Sequence, residues 1–333
     1  MKRTTLIAGL LVFALAGGAL LWPEENAIGQ MSAEEAARVT GLPIDIDVRA
    51  EPLALSLNDH SANMSFVGGW ALTSDHEDFG GFSGLVLEPV AGQLLAISDK
   101  GDWWQAPFNA LSGNAPLGGS MRSYTMGAVA DKRALDAESL VKLSGGYLIA
   151  FEQKHRLEFQ PEVGGKPTTD TGFAPIDFAG VSDNSGMEAI ALLPSGELLA
   201  FAERGRDTRG KQKAWLVSAV ESKPLFFAPP KNFAPTDAAT LPNGDVLVLL
   251  RKYSAIDGVE VRLHHLVAAN IQPGAVLTGE PILKLTPEGP VDNMEGLDLV
   301  VLDDNTVRIA MISDDNFNPL QRTLLMLFDY TYQ

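Results

Sequence analysis

A pattern of paired apolar runs recurs five times along the chain, and this repeat constrains the fold more than any other feature. Each copy has an apolar run, a turn carrying Gly or Asn, and a second apolar run that ends in charged residues. The register points are separated by 55, 50, 49 and 58 residues if they are taken as Ser83, Glu138, Glu188, Asp237 and Glu295. Paired strands that repeat at such a period are typical of the blades of a β-propeller.

The repeat therefore predicts an all-β fold, a five-bladed β-propeller in which the first strand of each copy lies next to the central channel. The last copy has room for only three strands, so we expect residues 64–72 to supply its fourth strand and close the ring. The weakly patterned segments 110–130 and 161–183 leave room for a sixth, degenerate blade. A two-sheet sandwich explains less, because sandwiches have no such repeat.

The N-terminal segment predicts export. Lys2 and Arg3 precede an apolar stretch at residues 6–22, as in a secretory signal. The stretch is also close to the ~18 residues that allow a membrane span. A cleaved signal and an N-terminal anchor both stay open for residues 1–22, followed by a tether at 23–43 and the propeller at 44–333. Either alternative places the domain in the periplasm or outside the cell. An uncleaved anchor would in addition attach it to the inner membrane.

Composition excludes several classes of function. The formal net charge of -17 repels nucleic acid. The absence of cysteine excludes disulfides, thiol catalysis and Cys-type zinc sites. None of the five histidines forms an H-x-x-x-H pair, and no P-loop or G-x-S-x-G elbow on a strand-to-helix turn occurs. We expect a monomer whose partner is a small-molecule ester or ligand.

Acidic residues start most of the repeats. In the predicted propeller Glu138, Glu188, Asp237 and Glu295 meet at one end of the inner strands, where they repel one another unless a cation or protonation relieves them. Calcium suits such a cluster because it takes six to eight oxygen ligands. The alternative is structural: each carboxylate accepts hydrogen bonds from backbone N–H groups of a neighbouring blade.

Charged residues also follow the second strand of each repeat, and a hairpin returns them to the same face. The group comprises Asp99, Lys100, Glu152, Lys154, His155, Arg156, Glu203, Arg204, Arg251, Lys252, Asp314 and Asp315. Acids and bases together can hold a metal ion and a phosphate, since arginine makes bidentate oxygen contacts. A solvated rim of salt bridges is the alternative.

Six segments resemble one family: GGFSGL at 80–85, SDKG at 98–101, DAESL at 136–140, FEQKHR at 151–156, NSGMEA at 184–189 and DNMEGL at 292–297. The chain resembles the phytase-like domain, "esterase-like activity of phytase", of exported bacterial proteins, over roughly residues 65–330. The resemblance implies a β-propeller that hydrolyses phosphate or other esters with calcium. The long Lys/Arg array that a hexaphosphate would need is missing from the sequence.

The resulting hypothesis is an exported ester hydrolase. Glu188, Glu295 and His155 are the candidate catalytic residues, and Arg156, Arg204 and Lys100 the candidate substrate contacts. Ca²⁺ would be held by Glu138, Glu188, Asp237 and Glu295. The alternative is a non-catalytic binding module that presents its channel mouth to a small ligand or an envelope partner.

Overall fold

The computed structural model describes Ala37 and residues 40–56, 63–123, 135–208 and 210–333. The expected signal or anchor at 1–22 and most of the tether at 23–43 lie outside these residues. In the part of the chain that is described, no helix has the length and apolar character needed to cross a bilayer.

Five antiparallel sheets surround a channel, each with its first strand innermost. Blade 1 contains β4 (Phe82–Glu88), β5 (Gln93–Ser98), β6 (Asp102–Pro107) and β7 (Gly119–Ser123), with β1 (Ile44–Ile46) at its outer edge. Blade 2 contains β8 (Ala137–Leu143), β9 (Gly146–Phe151) and β10 (Arg156–Gln160). Blade 3 contains β11 (Met187–Leu192), β12 (Leu198–Arg206), β13 (Gln212–Val217) and β14 (Ser222–Phe227).

The last two blades follow the same plan. Blade 4 contains β15 (Ala234–Thr240), β16 (Val246–Ser254), β17 (Gly258–Leu266) and β19 (Glu280–Leu285). Before β19 the chain contributes β18 (Val276–Leu277), which pairs in parallel with β14 of blade 3. Blade 5 contains β20 (Asn293–Val301), β21 (Thr306–Asp314) and β22 (Thr323–Thr331), joined by β3 (Met64–Thr73) and β2 (Arg49–Pro52). The inner strands β4, β8, β11, β15 and β20 contact one another in a closed ring.

The predicted closure of the ring is confirmed. Strand β3 pairs antiparallel with β22, with Trp70 opposite Leu325 and Leu72 opposite Thr323. Blade 5 is thus built from both ends of the folded domain. This pairing occupies a sheet edge of the last copy that would otherwise stay open.

The five-blade count is also confirmed for the described residues. The segment 110–130 supplies β7, the fourth strand of blade 1, and its residues 124–130 lie outside the described part. The segment 161–183 contains no strand. It forms only an isolated β-bridge, between its Thr168 and Phe159 of β10. The alternative of a sixth blade therefore finds no support in these segments.

The hydrophobic core is divided among the five interfaces between neighbouring blades. Between blades 1 and 5, for example, Leu85 and Trp104 pack in one cluster with Leu325. A blade is covered by a neighbour on both faces, so its central strands are apolar on both sides. This explains runs such as residues 94–97 in β5, in which every side chain is buried.

Each inner strand carries a β-bulge near its first residue. The bulged residues are Ser83, Glu138, Glu188, Thr236 and Glu295. The register predicted for the fourth repeat is therefore wrong by one residue: Thr236, and not Asp237, corresponds to the glutamates of the other blades.

Candidate functional site: an acidic channel mouth

The first ring of the site consists of the five bulged residues. A bulge redirects one side chain out of the pleat, and in three blades that side chain is a glutamate: Glu138, Glu188 and Glu295. Blade 1 has Ser83 at this position. Blade 4 has Thr236, whose hydroxyl donates to the carbonyl oxygen of Met294 at 3.0 Å.

The second ring lies at the end of the second strand of each blade and consists of Asp99, Glu152, Glu203, Arg251 and Asp314. Backbone contacts join each member to the start of the inner strand, such as the N–H of Glu152 to the oxygen of Asp136 at 2.8 Å and the N–H of Glu203 to the oxygen of Gly186 at 2.9 Å. Both rings thus open at one end of the channel. We call the two rings together with Asp136 the acidic mouth.

The three glutamates of the first ring all have raised pKa values. Burial, followed by the charges of Glu188 and Glu295, holds the pKa of Glu138 well above its ordinary value. Burial, followed by Glu203 and Glu152, does the same for Glu188. Burial and Asp314 raise the pKa of Glu295 to about 8, against the opposing effect of Arg251. Carboxyls that hold protons near neutral pH can exchange them with a substrate or release them when a cation binds.

The acids of the second ring behave in the same way. Burial and the charge of Asp314 raise the pKa of Asp99 to about 7, and burial raises that of Asp314 to about 6. The pKa values of Glu152 and Glu203 are also raised, first by burial. Burial is thus the first cause of the raised pKa of every acid in the second ring.

Two triads of carboxylates in the mouth have the spacing of a cation site. One comprises Asp136, Glu138 and Glu152, the other Glu152, Glu188 and Glu203, and in each the three nearest oxygens lie within 4.8 Å of one another. Calcium–oxygen distances are about 2.3–2.6 Å, so oxygens on opposite sides of one ion lie about 5 Å apart. The all-oxygen donor sets therefore fit a hard cation such as Ca²⁺, and Glu152 belongs to both.

Arg251 occupies the second-ring position of blade 4, where the other four blades have an acid. Its guanidinium donates to Oδ1 of Asn293 and lies 3.4 Å from Oε1 of Glu295. The charges of Glu295, Glu188, Glu203 and Asp314 raise its pKa despite the opposing effect of burial. About one fifth of the side chain stays exposed, at 21%, so a ligand in the mouth can reach it.

Asp237, predicted as a metal ligand, lies one residue deeper in the channel. Its Oδ1 accepts the hydroxyl of Ser139 at 2.6 Å and the N–H of Ala238 at 2.9 Å, and its Oδ2 accepts the N–H of Leu297 at 2.7 Å. Both oxygens are thus occupied by donors from blades 2, 4 and 5. This is the structural alternative, an inter-blade staple, and we do not assign Asp237 to the cation site.

The three predicted substrate contacts are turned towards other partners. Arg156 donates to Glu158 at 2.6 Å and packs on the ring of Phe151. Lys100 lies over the ring of Phe317. Arg204 pairs with Glu203 at 2.9 Å and is 70% exposed.

His155 lies beside the second triad through Gly186. A Cβ on Gly186 would collide with the imidazole of His155 and approach the side chain of Glu152, while the N–H of Gly186 donates to Oε1 of Glu152 at 3.1 Å. Nε2 of His155 lies 3.1 Å from the carbonyl oxygen of Ser182. Nδ1 faces Gly186 and is buried with no hydrogen bond among the described residues.

Sequence reasoning placed Glu152 and Arg251 in the second ring but overlooked them as site residues, and it misplaced the fourth register point. A signal was present. The Pro194–Gly196 and Pro242–Gly244 turns, if superposed, bring Glu188 onto Thr236 and Glu203 onto Arg251. Alignment of the acidic residues gives a different register, because it matches Asp237 rather than Thr236 with the glutamates.

Fold and site together define a five-bladed β-propeller whose channel opens through a cluster of carboxylates around one arginine. The family model for the phytase-like domain, "Esterase-like activity of phytase", matches residues 77–317, and the chain belongs to this family. The expected family is thereby confirmed. A search of curated proteins finds no match.

Similar solved structures share little sequence with the chain. One is described as "YCF48 bound to D1 peptide", with 11% identity, a TM-score of 0.38 and coverage of 91% of this chain and 100% of that one. Another is the Cps50 (Swd1) β-propeller domain of Myceliophteria thermophila, with 11% identity, a TM-score of 0.39 and coverage of 86% and 100%. A protein of unknown function from Dyadobacter fermentans has 12% identity, a TM-score of 0.37 and coverage of 85% and 99%.

Proposed function

We propose that this phytase-like propeller hydrolyses esters at the acidic mouth, with a divalent cation, Ca²⁺ first, as its cofactor. The observation that carries the proposal is the asymmetry of the mouth. Blades 2 and 3 supply two carboxylate triads that share Glu152, and blade 4 presents Arg251 to the same space. A cation and a guanidinium could thus contact one ester group from two sides.

The cation would be held by Glu152 with Asp136 and Glu138, with Glu188 and Glu203, or at both positions. When bound it would polarise the ester oxygen and make an attacking water more acidic. The fit rests on the donors themselves, because all of them are carboxylate oxygens and a bound positive charge relieves their mutual repulsion.

Arg251 favours phosphate esters over neutral carboxylic esters within this proposal. A mouth rich in carboxylates repels an anion, so an anionic substrate needs a fixed positive group at the reacting end. The planar guanidinium can donate to two oxygens of one phosphoryl group at once. The ammonium group of a lysine cannot make this bidentate contact. Lys100 follows Asp99 in the sequence, and Arg204 pairs with Glu203. Both therefore lie beside members of the second ring and would contact the substrate at the rim of the mouth.

Proton transfer would fall to the first ring and His155. Once ionised, the carboxylate of Glu188 or Glu295 would accept the proton of the attacking water. His155 would carry a proton to or from the leaving oxygen. These roles keep Glu188, Glu295 and His155 as the catalytic candidates.

The test uses p-nitrophenyl phosphate and p-nitrophenyl acetate with EDTA, Ca²⁺ or Mg²⁺, alongside thermal unfolding in each condition. Calcium should raise both turnover and the melting temperature. Glu152→Gln should remove both effects, since it takes one carboxylate away from each triad. The matched control is Glu51→Gln, which changes an exposed glutamate on β2 and should leave both effects intact.

Each outcome has a distinct meaning. Turnover that is insensitive to EDTA and to Glu152→Gln would rule out the cation-assisted mechanism. Calcium binding without turnover of either ester would favour the non-catalytic binding module. No calcium-dependent shift and no turnover would end the hydrolase hypothesis.

We further propose that the propeller works as an exported monomer, in the periplasm or outside the cell. The basic residues before the apolar stretch at 6–22 support this location. Fractionation of cells that produce the chain, with the N-terminus of the mature protein sequenced, would distinguish a cleaved signal from an anchor.

A further inference from the structure

The channel is closed just below the acidic mouth. The residues that follow the bulges form a layer of small side chains and one acid: Gly84, Ser139, Ala189, Asp237 and Gly296. Within it the hydroxyl of Ser139 donates across the channel to Asp237 at 2.6 Å, and both residues are fully buried. We call this layer the plug.

A cavity of about 190 Å³ lies on the other side of the plug. Side chains alternate along a strand, so the residues two positions beyond the plug face the channel again. These five all line the cavity: Val86, Val141, Ala191, Ala239 and Asp298. We call this space the lower chamber, and it is reached from the face opposite the acidic mouth.

Four members of this layer are aliphatic, and Asp298 is its single ionisable group. Oδ2 of Asp298 accepts the backbone N–H of Leu87 at 2.7 Å. Burial raises the pKa of Asp298 to about 7, and no cation among the described residues counteracts this. The carboxyl therefore faces an apolar space without a counter-ion.

Lys142 also lines the chamber, and its ammonium group is already engaged. Nζ of Lys142 lies 2.6 Å from Oε1 of Glu88 and 4.1 Å from the centre of the Tyr147 ring. The chamber thus offers a carboxyl without a cationic partner and mostly aliphatic walls.

We propose that the lower chamber binds a small primary alkylammonium ion. Its alkyl chain contacts Val86, Val141 and Ala191, and its ammonium group donates to Asp298. The volume holds roughly six water-sized atoms, which corresponds to a four- or five-carbon amine. The site is separate from the acidic mouth because the plug lies between them, and the proposal does not depend on hydrolysis.

The probe is n-butylamine as its hydrochloride at pH 8, titrated calorimetrically into the full chain with saturating Ca²⁺ present. We expect one-to-one saturable binding, at least about tenfold tighter than that of n-butanol, which has the same alkyl chain without charge. Asp298→Asn keeps the shape of the side chain and should weaken butylammonium binding by about tenfold or more. Asp304→Asn, which removes an exposed acid of the same blade, is the matched control and should change nothing.

A second variant tests the chamber without touching its charge. Ala191→Leu extends into the cavity and should abolish binding of both butylammonium and n-butanol, with circular dichroism showing the folded state. Binding that persists in Asp298→Asn and Ala191→Leu would overturn the proposal. Loss of butylammonium binding in Glu188→Gln would also overturn it, because that result would place the amine in the acidic mouth. The lack of any saturable binding would overturn it as well.

Discussion

Replacement of Asp237 by Ala tests whether this residue is a staple or a metal ligand. The carboxylate is fully buried and accepts three hydrogen bonds, from Ser139, Ala238 and Leu297. These donors belong to three of the five blades. The variant leaves all three buried without this acceptor.

The expected loss can be estimated from these contacts. A buried donor that loses its acceptor costs about 1–3 kcal/mol. The three donors of Asp237 together give roughly 3–6 kcal/mol, because the loss of a buried carboxyl with a raised pKa offsets part of the cost. An unfolding entropy of about 2.1 cal/mol/K per residue over residues 44–333 converts this into a decrease in melting temperature of roughly 5–10 °C.

Thermal unfolding by circular dichroism in EDTA measures this decrease, with a repeat in saturating Ca²⁺. Asp237→Asn can keep its oxygen for Ser139 and Ala238 and leaves only the N–H of Leu297 without an acceptor, so it should cost about 1–3 kcal/mol. Any increase in melting temperature that calcium causes in the original chain should persist in both variants. The staple assignment is wrong if Asp237→Ala lowers the melting temperature by less than about 2 °C and the calcium-dependent increase in melting temperature disappears.

Three further predictions concern the rest of the channel. The pKa of Asp298 is about 7 in the folded chain against 3.8 ordinarily, so unfolding releases its proton between these values and stability falls as pH rises through that window. Asp298→Asn should remove this slope, worth up to roughly 4 kcal/mol, as urea unfolding at pH 4 and pH 8 would show. Arg251→Gln should lower kcat/KM for p-nitrophenyl phosphate about 10–100-fold and for p-nitrophenyl acetate far less, with Arg251→Lys intermediate; equal losses for both esters would assign Arg251 a structural role. Gly296→Ala places a Cβ 2.6 Å from the side chain of Ile312 and 3.0 Å from that of Leu85, so it should destabilise the fold by about 1–3 kcal/mol, and an unchanged melting temperature would contradict this packing.

The sequence predicts the architecture because strand pairs and turns are local features. The Pro194–Gly196 and Pro242–Gly244 turns each join two apolar runs, and the runs become β11 and β12, then β15 and β16. Ring closure is less local, yet it follows from counting. Three strands after residue 293 leave one position open, and residues 64–72 are the nearest unassigned apolar segment.

The site is harder to predict because it depends on single-residue register. One bulge decides which side chain faces the mouth and which faces the plug, and period-two alternation reverses the two for a slip of one residue. Asp237 and Thr236 are neighbours, so matching of acids selects the wrong one. The direction of a long side chain is a further problem. Arg156 at the start of β10 donates to Glu158, whereas Arg251 within β16 donates to Asn293.

Blade 4 explains why charge is distributed unevenly around the acidic mouth. If every blade supplied an acid to both rings, the mouth would be uniformly negative and would suit a cation alone. Blade 4 replaces both acids, with Thr236 in the first ring and Arg251 in the second. The neighbouring Glu295 stabilises the positive charge of Arg251, so the guanidinium stays ionised where the other blades concentrate carboxylates. A ligand that enters the mouth therefore meets a carboxylate-rich side at blades 2 and 3 and a positive group at blade 4, the charge pattern that an anionic ester bound to a cation requires.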